Sequence, residues 1–370
     1  MKTLRFGFIG AGFMGKAHAQ AIRALPICFP DLEVDLQLQA VAASSAATAK
    51  VAARRFGFAE VEEDWRTLIA REDIDVVSIL TPNHLHHEMA LAAAAAGKHI
   101  LLEKPMAMTV AQCEEMEAAA QKAGVRTMLC FNYRRTPAVI HARAVIDQGW
   151  LGRPRAFRGR YLQDWLADPD APVNWRLAGS SAGSGTLGDI GSHVVDFAHY
   201  LLGDIDRVSA MLRTWVAERP SDGGGRQAVD VDDEVMCMLE FANGAIGSIE
   251  ATRFAPGRKN DLGFEINFEN GSLAFDYERM NELKVCDFRS DEPDFKTIHL
   301  GPRHPYGAHF WPIPALGMGY HEVKMIEIHD FARAVAFGEA VHPDFADGVR
   351  NQKVLAAIQA SAGHGAWHAA

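Results

Sequence analysis

A glycine-rich turn near the head of the chain limits the possible folds more than any other feature. The mostly apolar run 4–9 stops at Gly10, and Gly10-Ala11-Gly12-Phe13-Met14-Gly15 leads into a helix-like stretch over 16–25. This is G-x-G-x-x-G between a strand and a helix. The first glycine permits a tight turn, the second lets a pyrophosphate approach the backbone, and the third lets helix and strand pack closely. The helix start then offers unbonded N–H groups and the positive end of its dipole to phosphate. The alternative is a glycine turn that binds nothing; the context on both sides favours the nucleotide.

The alternation of strand and helix then repeats. Runs 36–42, 75–80, 99–102 and 127–131 read as strands. Between them, 46–55 is a helix ended by Gly57, 64–71 a short helix, and 84–96 a helix ended by Gly97; Thr109 caps a helix that ends at Gly124. Such spacing predicts an α/β fold, a Rossmann-type doubly wound parallel sheet, over residues 1–131. Ligands bind beyond the carboxyl ends of its strands. Thr81-Pro82-Asn83, Glu103-Lys104-Pro105 and Asn132-Tyr133-Arg134 all follow strands there. The second strand ends in Ala42-Ala43-Ser44-Ser45, without the acid that usually reads the ribose hydroxyls of NAD, and 26–35 inserts a loop before that strand.

Residues 132–370 read as a second domain of α+β type. Runs 155–163, 208–216, 234–241, 245–253 and 263–268 are strand-like, with hairpin signals at Asn243-Gly244 and Asn270-Gly271. Residues 222–225 read as a flexible loop, and two helices follow at about 322–337 and 347–364. Asp189 and His193 are four apart, on one face if 187–201 is a helix. A histidine there can take a hydroxyl proton while a carboxylate fixes its tautomer, although the same spacing also describes an ordinary helix contact. His84, His86 and His87 lack metal-ligand spacing, so no metal is expected.

A net charge of −10 argues against a nucleic-acid partner. The five cysteines form no C-x-x-C pair and read as reduced thiols. A strand pattern from Leu4 leaves no room for a signal peptide and no apolar run suits a bilayer, so a cytoplasmic protein with no membrane partner is expected.

Three motifs together resemble the glucose–fructose oxidoreductase / inositol dehydrogenase (Gfo/Idh/MocA) family: the opening glycines, Glu103-Lys104-Pro105, and Gly188-Asp189-Ile190-Gly191-Ser192-His193. Stretches 131–137, 161–165, 174–176 and 311–317 are similar to its bacterial branch that oxidises levoglucosan. The resemblance covers the whole chain. It implies a C-terminal domain built on a large, open, mostly antiparallel sheet, and face-to-face association into a homodimer or homotetramer. It implies oxidation of a secondary hydroxyl to a ketone, with His193 as base, Asp189 orienting it and Lys104 holding the reacting oxygen. The cofactor implied is NAD, with NADP also admitted because no acid stands at the second strand's end. Gly10, Gly12, Phe13, Met14 and Gly15 would meet its phosphates and Ser44 its ribose. Thr81, Pro82, Asn83, His86, Glu103 and Lys104 would line the rest. Substrate would meet Lys104, Asp189 and His193 together with Tyr133, Gln163, Trp165 and Arg176. The first substrate expected is an anhydrosugar or pyranose oxidised at C3, the second an inositol. The rivals are an NAD-dependent glycoside-cleaving enzyme and a dinucleotide-binding regulatory protein.

Overall fold

The computed structural model describes every residue except Asp222, Pro312, Pro314 and Ala315. The loop expected over 222–225 and the stretch 311–317 therefore lie partly outside the described residues. The chain divides into two compact units, Met1–Arg135 with Met318–Arg350, and Thr136–Gly317 with Asn351–Ala370.

The first unit is built on β1 (Lys2–Ile9), β2 (Val34–Ala42), β3 (Glu60–Glu62), β4 (Val76–Ile79), β5 (His99–Leu102) and β6 (Thr127–Leu129). All are parallel, in the order β3-β2-β1-β4-β5-β6. The connections are α1 (Phe13–Cys28), α2 (Ala46–Phe56), α3 (Trp65–Ala70), α4 (His86–Ala95) and α5 (Val110–Ala123). Helices cover both faces, which is why every residue of β4 is buried and why its sequence is nearly all apolar. Alanines 90, 93 and 94 let α4 sit close on that core. Thr109 and Gly124 cap α5 as expected, the glycine in the left-handed region at φ 66°. The strand order turns back between β1 and β4, so the crevice for a ligand opens beyond those two strands.

Two expectations need correction here. Pro26 does not open a loop but sits in the last turn of α1. Its ring costs one backbone hydrogen bond, while Phe29 N still reaches the Leu25 carbonyl at 2.8 Å. The single cut between 131 and 132 also differs from the observed division, because helix Tyr320–Phe337 belongs to the first unit and packs on α1. Its buried face carries Val323, Ile326 and Phe331, and also the charged Lys324 and Glu327.

The second unit holds a nine-stranded sheet in the order β16-β15-β14-β13-β7-β12-β11-β8-β17. Its members are β7 (Pro154–Leu162), β8 (Ile205–Arg213), β11 (Glu234–Phe241), β12 (Ile246–Thr252), β13 (Asp261–Phe268), β14 (Gly271–Asp276), β15 (Glu282–Asp287), β16 (Lys296–His299) and β17 (His368–Ala369). Between β8 and β11, β9 (Glu218–Pro220) and β10 (Arg226–Ala228) form a separate hairpin. The sheet is antiparallel except where β7 meets β12. Both Asn-Gly signals mark hairpins, joining β11 to β12 and β13 to β14. Helix Ser192–Leu202 lies on one face, with the Phe197 ring edge-on to Phe264 at 5.6 Å. The opposite face keeps Met211, Met236, Met238 and Ile246 exposed, Met211 directly across from Met236.

None of the five cysteines is in a disulfide, and four are buried. Among the described residues no helix is long and apolar enough to cross a membrane.

Candidate active site

In the first unit the glycine turn follows β1 directly. Gly10 takes φ +112°, and a Cβ there would meet the Leu80 carbonyl at 2.6 Å, so only glycine lets the turn run against the end of β4. A Cβ at Gly15 would lie 3.0 Å from the Gly10 carbonyl, the close approach expected of the third glycine. At Gly12 a Cβ would meet nothing within 4 Å, which leaves room over the turn. Helix α1 begins there with no side-chain cap and no acid in its first turn, so its N–H groups and dipole remain available to an anion. These features fit a dinucleotide's phosphates. Phe13 is 67% exposed; its ring is 6.0 Å from that of Tyr320, whose hydroxyl lies 3.5 Å from Met14 Sδ. Tyr320 also meets the buried Tyr133 edge-on at 6.2 Å. Ser44 is exposed just past β2, whereas the Ser45 hydroxyl accepts from Thr48 N (3.2 Å) as the cap of α2.

Thr81 and Pro82 are half-buried after β4, and Asn83 is buried in a single helical turn, Asn83–Leu85. His86 is fully buried, with one ring nitrogen 2.9 Å from the Thr81 carbonyl and the other 3.0 Å from that of Pro105. It ties two strand-end loops together, so both its polar atoms face backbone rather than a ligand, and burial lowers its pKa. Lys104 is half-buried, and its peptide bond to Pro105 is cis.

Behind Lys104 lies a buried polar cluster that sequence reading missed. Glu103 Oε1 is 2.9 Å from His18 Nε2 and 3.2 Å from Lys324 Nζ; Lys324 Nζ is 2.6 Å from Glu327 Oε2. His18 Nδ1 is 3.2 Å from the Ser78 hydroxyl. Burial drives the His18 pKa down to about 4, so the ring is neutral. Its Nε2–H donates to the Glu103 carboxylate and Nδ1 accepts from Ser78. Burial works against the Glu103 charge, but Lys324 and the His18 hydrogen bond outweigh it and hold the carboxyl well below the usual range. His18, Glu103 and Cys130 could together reach a metal ion, but the Lys324 ammonium already supplies the positive charge to this cluster and would repel one. A signal existed: His18 falls on the apolar stripe of α1 with Ala21, Ile22 and Leu25, and Lys324 and Glu327 interrupt the apolar face of their helix.

In the second unit the Asp189–His193 segment opens with a π-helical turn, Leu187–Gly191, that runs into helix Ser192–Leu202. The expected helix is therefore present, with a wider first turn of the kind that recurs at functional sites. Asp232, which sequence reading missed, anchors its start, accepting from Gly185 N at 2.8 Å and Leu187 N at 2.7 Å. The approach is so close that a Cβ at Gly185 would lie 1.8 Å from the Asp232 carbonyl. His193 is buried, its ring 6.1 Å from Tyr161. The Asp189 carboxylate lies 3.4 Å from Arg253 and 3.9 Å from Arg176. Arg253, fully buried at the end of β12, was not foreseen; its guanidinium sits 5.4 Å from the Trp165 ring. Trp165, 43% exposed, donates its indole N–H to Gln163 Oε1 (3.0 Å). Gln163 Nε2 in turn donates to Asn260, which also accepts from the Tyr161 hydroxyl at 2.6 Å. Gln163, Trp165, Arg176, Asp189 and His193 are thus linked in one connected set through Arg253, Asn260 and Tyr161.

Residues 4–131 match the oxidoreductase family with an NAD-binding Rossmann fold, and 139–274 match the GFO/IDH/MocA C-terminal domain. The chain belongs to this family of NAD-binding oxidoreductases. It is 50% identical to the levoglucosan dehydrogenase of Pseudarthrobacter phenanthrenivorans, over 99% of this chain and 98% of that one. It matches the solved structure of a levoglucosan dehydrogenase in complex with NADH and levoglucosan at a TM-score of 0.97 and 50% identity, covering 100% of this chain and 99% of the other. An oxidoreductase domain protein from Kribbella flavida matches at a TM-score of 0.96 and 45% identity, over 100% and 99% of the two chains.

Proposed function

We propose that this protein oxidises the C3 hydroxyl of levoglucosan or a closely similar anhydrosugar to a ketone. The observation that carries the reading is the 50% identity with a levoglucosan dehydrogenase over nearly the full length of both chains. The chain carries Lys104, Asp189 and His193, and polar and aromatic groups suited to a sugar.

Bound NAD supplies the acceptor for the hydrogen leaving carbon. Gly10, Gly12, Gly15 and the backbone of Phe13 and Met14 hold its phosphates, Ser44 its ribose, and Thr81, Pro82 and Asn83 line its path. His193 takes the hydroxyl proton; its imidazole is the one side chain type suited to that task near neutral pH. Asp189, held beside Arg253 and Arg176, stabilises the cation formed on His193. Lys104 donates to the reacting oxygen as charge develops on it. Trp165 gives the pyranose an apolar platform, while Tyr133, Gln163 and Arg176 meet its hydroxyls.

The test is a panel of levoglucosan, inositols, aldoses and glycosides, each with NAD and NADP. The highest kcat/KM is expected on levoglucosan, with the 3-ketone as product. Faster turnover of an inositol, or aglycone release without accumulating NADH, would replace this reading.

The protein is proposed to be a cytoplasmic homodimer or homotetramer. Cysteines outside any disulfide suit a reducing compartment. The exposed Met211, Met236, Met238 and Ile246 face favours burial against a second copy. A monomeric mass by light scattering at micromolar concentration would contradict the assembly.

A further inference from the structure

The Glu103 cluster is larger than a strand end requires. The side chains of Lys324 and Glu327 are fully buried, and that of Glu103 is 8% exposed. Buried ions lose their hydration, and apolar side chains of similar volume often serve a core as well or better. Such a cluster is therefore weakly explained by stability alone. Its geometry has one focus. His18 from α1 and Lys324 from helix Tyr320–Phe337 converge on the same oxygen of Glu103, and Ser78 from β4 fixes the His18 ring. Glu103 is the first residue past β5, and the next residue is Lys104.

We infer that Lys324 is a positioning residue for the reaction: held between Glu327 and Glu103, it fixes Glu103 behind the strand end and so sets where Lys104 presents its ammonium. The inference rests on the reading of Lys104 as the group on the reacting oxygen. The groups that face the cluster are consistent with it. Burial pushes Glu327 up, whereas Lys324 and the His18 hydrogen bond hold Glu103 down as an anion facing the ammonium. Cys130, with Sγ 3.9 Å from His18 Nε2, is pushed up by burial and remains a thiol; Tyr320 is likewise pushed up and remains a phenol. Glu103 thus keeps its negative charge next to Lys104, answered from behind by the Lys324 ammonium.

The test uses two variants, Glu103→Gln and the charge-balanced pair Lys324→Met with Glu103→Gln. Thermal unfolding of the NAD-free protein checks the fold. Expected in both is a kcat lower by roughly 10–100-fold, the scale of a small misplacement of a reacting group. KM for sugar and NAD should change by less than about threefold. The pH limb of kcat should move by about half a unit or more in Glu103→Gln, where the negative charge next to Lys104 is lost, and by less in the charge-balanced pair. Wild-type kcat and pH limb in a folded variant would overturn the inference. Loss of folding in both variants would make the cluster a stability device and overturn it too. Lys104→Met in the same assays separates the two claims: near wild-type kcat there would remove the reading of Lys104, not the geometry behind it.

Discussion

The two units prepare for their ligands in opposite ways. In the first, the surface offered to a ligand is mostly backbone, Gly10 to Gly15 and an uncapped helix start, and the charged side chains Glu103, Lys324 and Glu327 are buried behind it. In the second, the offered groups are side chains: Trp165, Arg176 and Asp189 are partly exposed, and Arg253 is the buried brace. A backbone cradle serves a cofactor shared by many enzymes. A side-chain surface can be changed one residue at a time, as a substrate site must be.

The largest test of this contrast removes one proposed reacting group from each unit. His193→Ala and Lys104→Ala should each lower turnover by about 10²–10⁴, the range for a lost acid–base group. Dinucleotide affinity should change far less, since neither residue belongs to the backbone cradle. Near wild-type turnover in both, with substrate saturating, would sink the assignment.

A smaller effect probes how rigidly the second unit holds its site. Gly185→Ala drives a methyl group into the Asp232 carbonyl, 1.8 Å away without relaxation. A loss of about 3 kcal/mol in unfolding free energy is expected, the upper part of the range for overpacking. Gly12→Ala in the first unit, where nothing stands within 4 Å, should leave stability nearly unchanged and weaken NAD binding instead. Equal destabilisation by the two changes would erase the contrast.

The buried histidine gives the first unit a pH dependence of its own. His18 titrates near 4 in the folded protein, against about 6.5 when unfolded. Between those values the unfolded chain binds more protons, so stability falls as pH drops through the window, by at most about 3 kcal/mol. His18→Gln should flatten this slope in urea unfolding between pH 7 and 4.5. An unchanged slope would mean that other groups govern it.

What the sequence disclosed follows the same division. The Rossmann unit was legible because its signals are contiguous: Gly10 to Gly15, Thr109 with Gly124, and the β-branched run that became β4. The second site was half legible. Asp189 and His193 stand in one motif, but Arg253 on Asp189, Asn260 on Tyr161 and Asp232 at the start of the π-helical turn come from strands and loops far along the chain. Strands β15 to β17 escaped for a related reason. Their residues are short, charged or spaced like loops, and they owe their pairing to neighbours rather than to their own pattern. The return of helix Tyr320–Phe337 to the first unit was hidden because an apolar stripe does not say which core it covers.

The smallest expected effect lies at the edge of the cradle, where backbone gives way to side chains. The end of β2 carries no acid: Ala43 is half-buried, Ser44 is exposed and Ser45 is engaged as a helix cap. An acid there would accept hydrogen bonds from the ribose hydroxyls of NAD and repel the 2′-phosphate of NADP. Serine can bond either group but supplies no charge. The protein should therefore use NAD and show measurable activity with NADP. Ala43→Glu should move the preference further toward NAD by on the order of 1–3 kcal/mol, as for other charged hydrogen bonds. The measurement is the ratio of kcat/KM for the two cofactors, in wild type and in the variant. If wild type already rejects NADP by several orders of magnitude, a group outside the end of β2 reads the ribose. If Ala43→Glu leaves the ratio unmoved, the ribose does not lie against this strand end, and Ser44 loses its assigned contact as well.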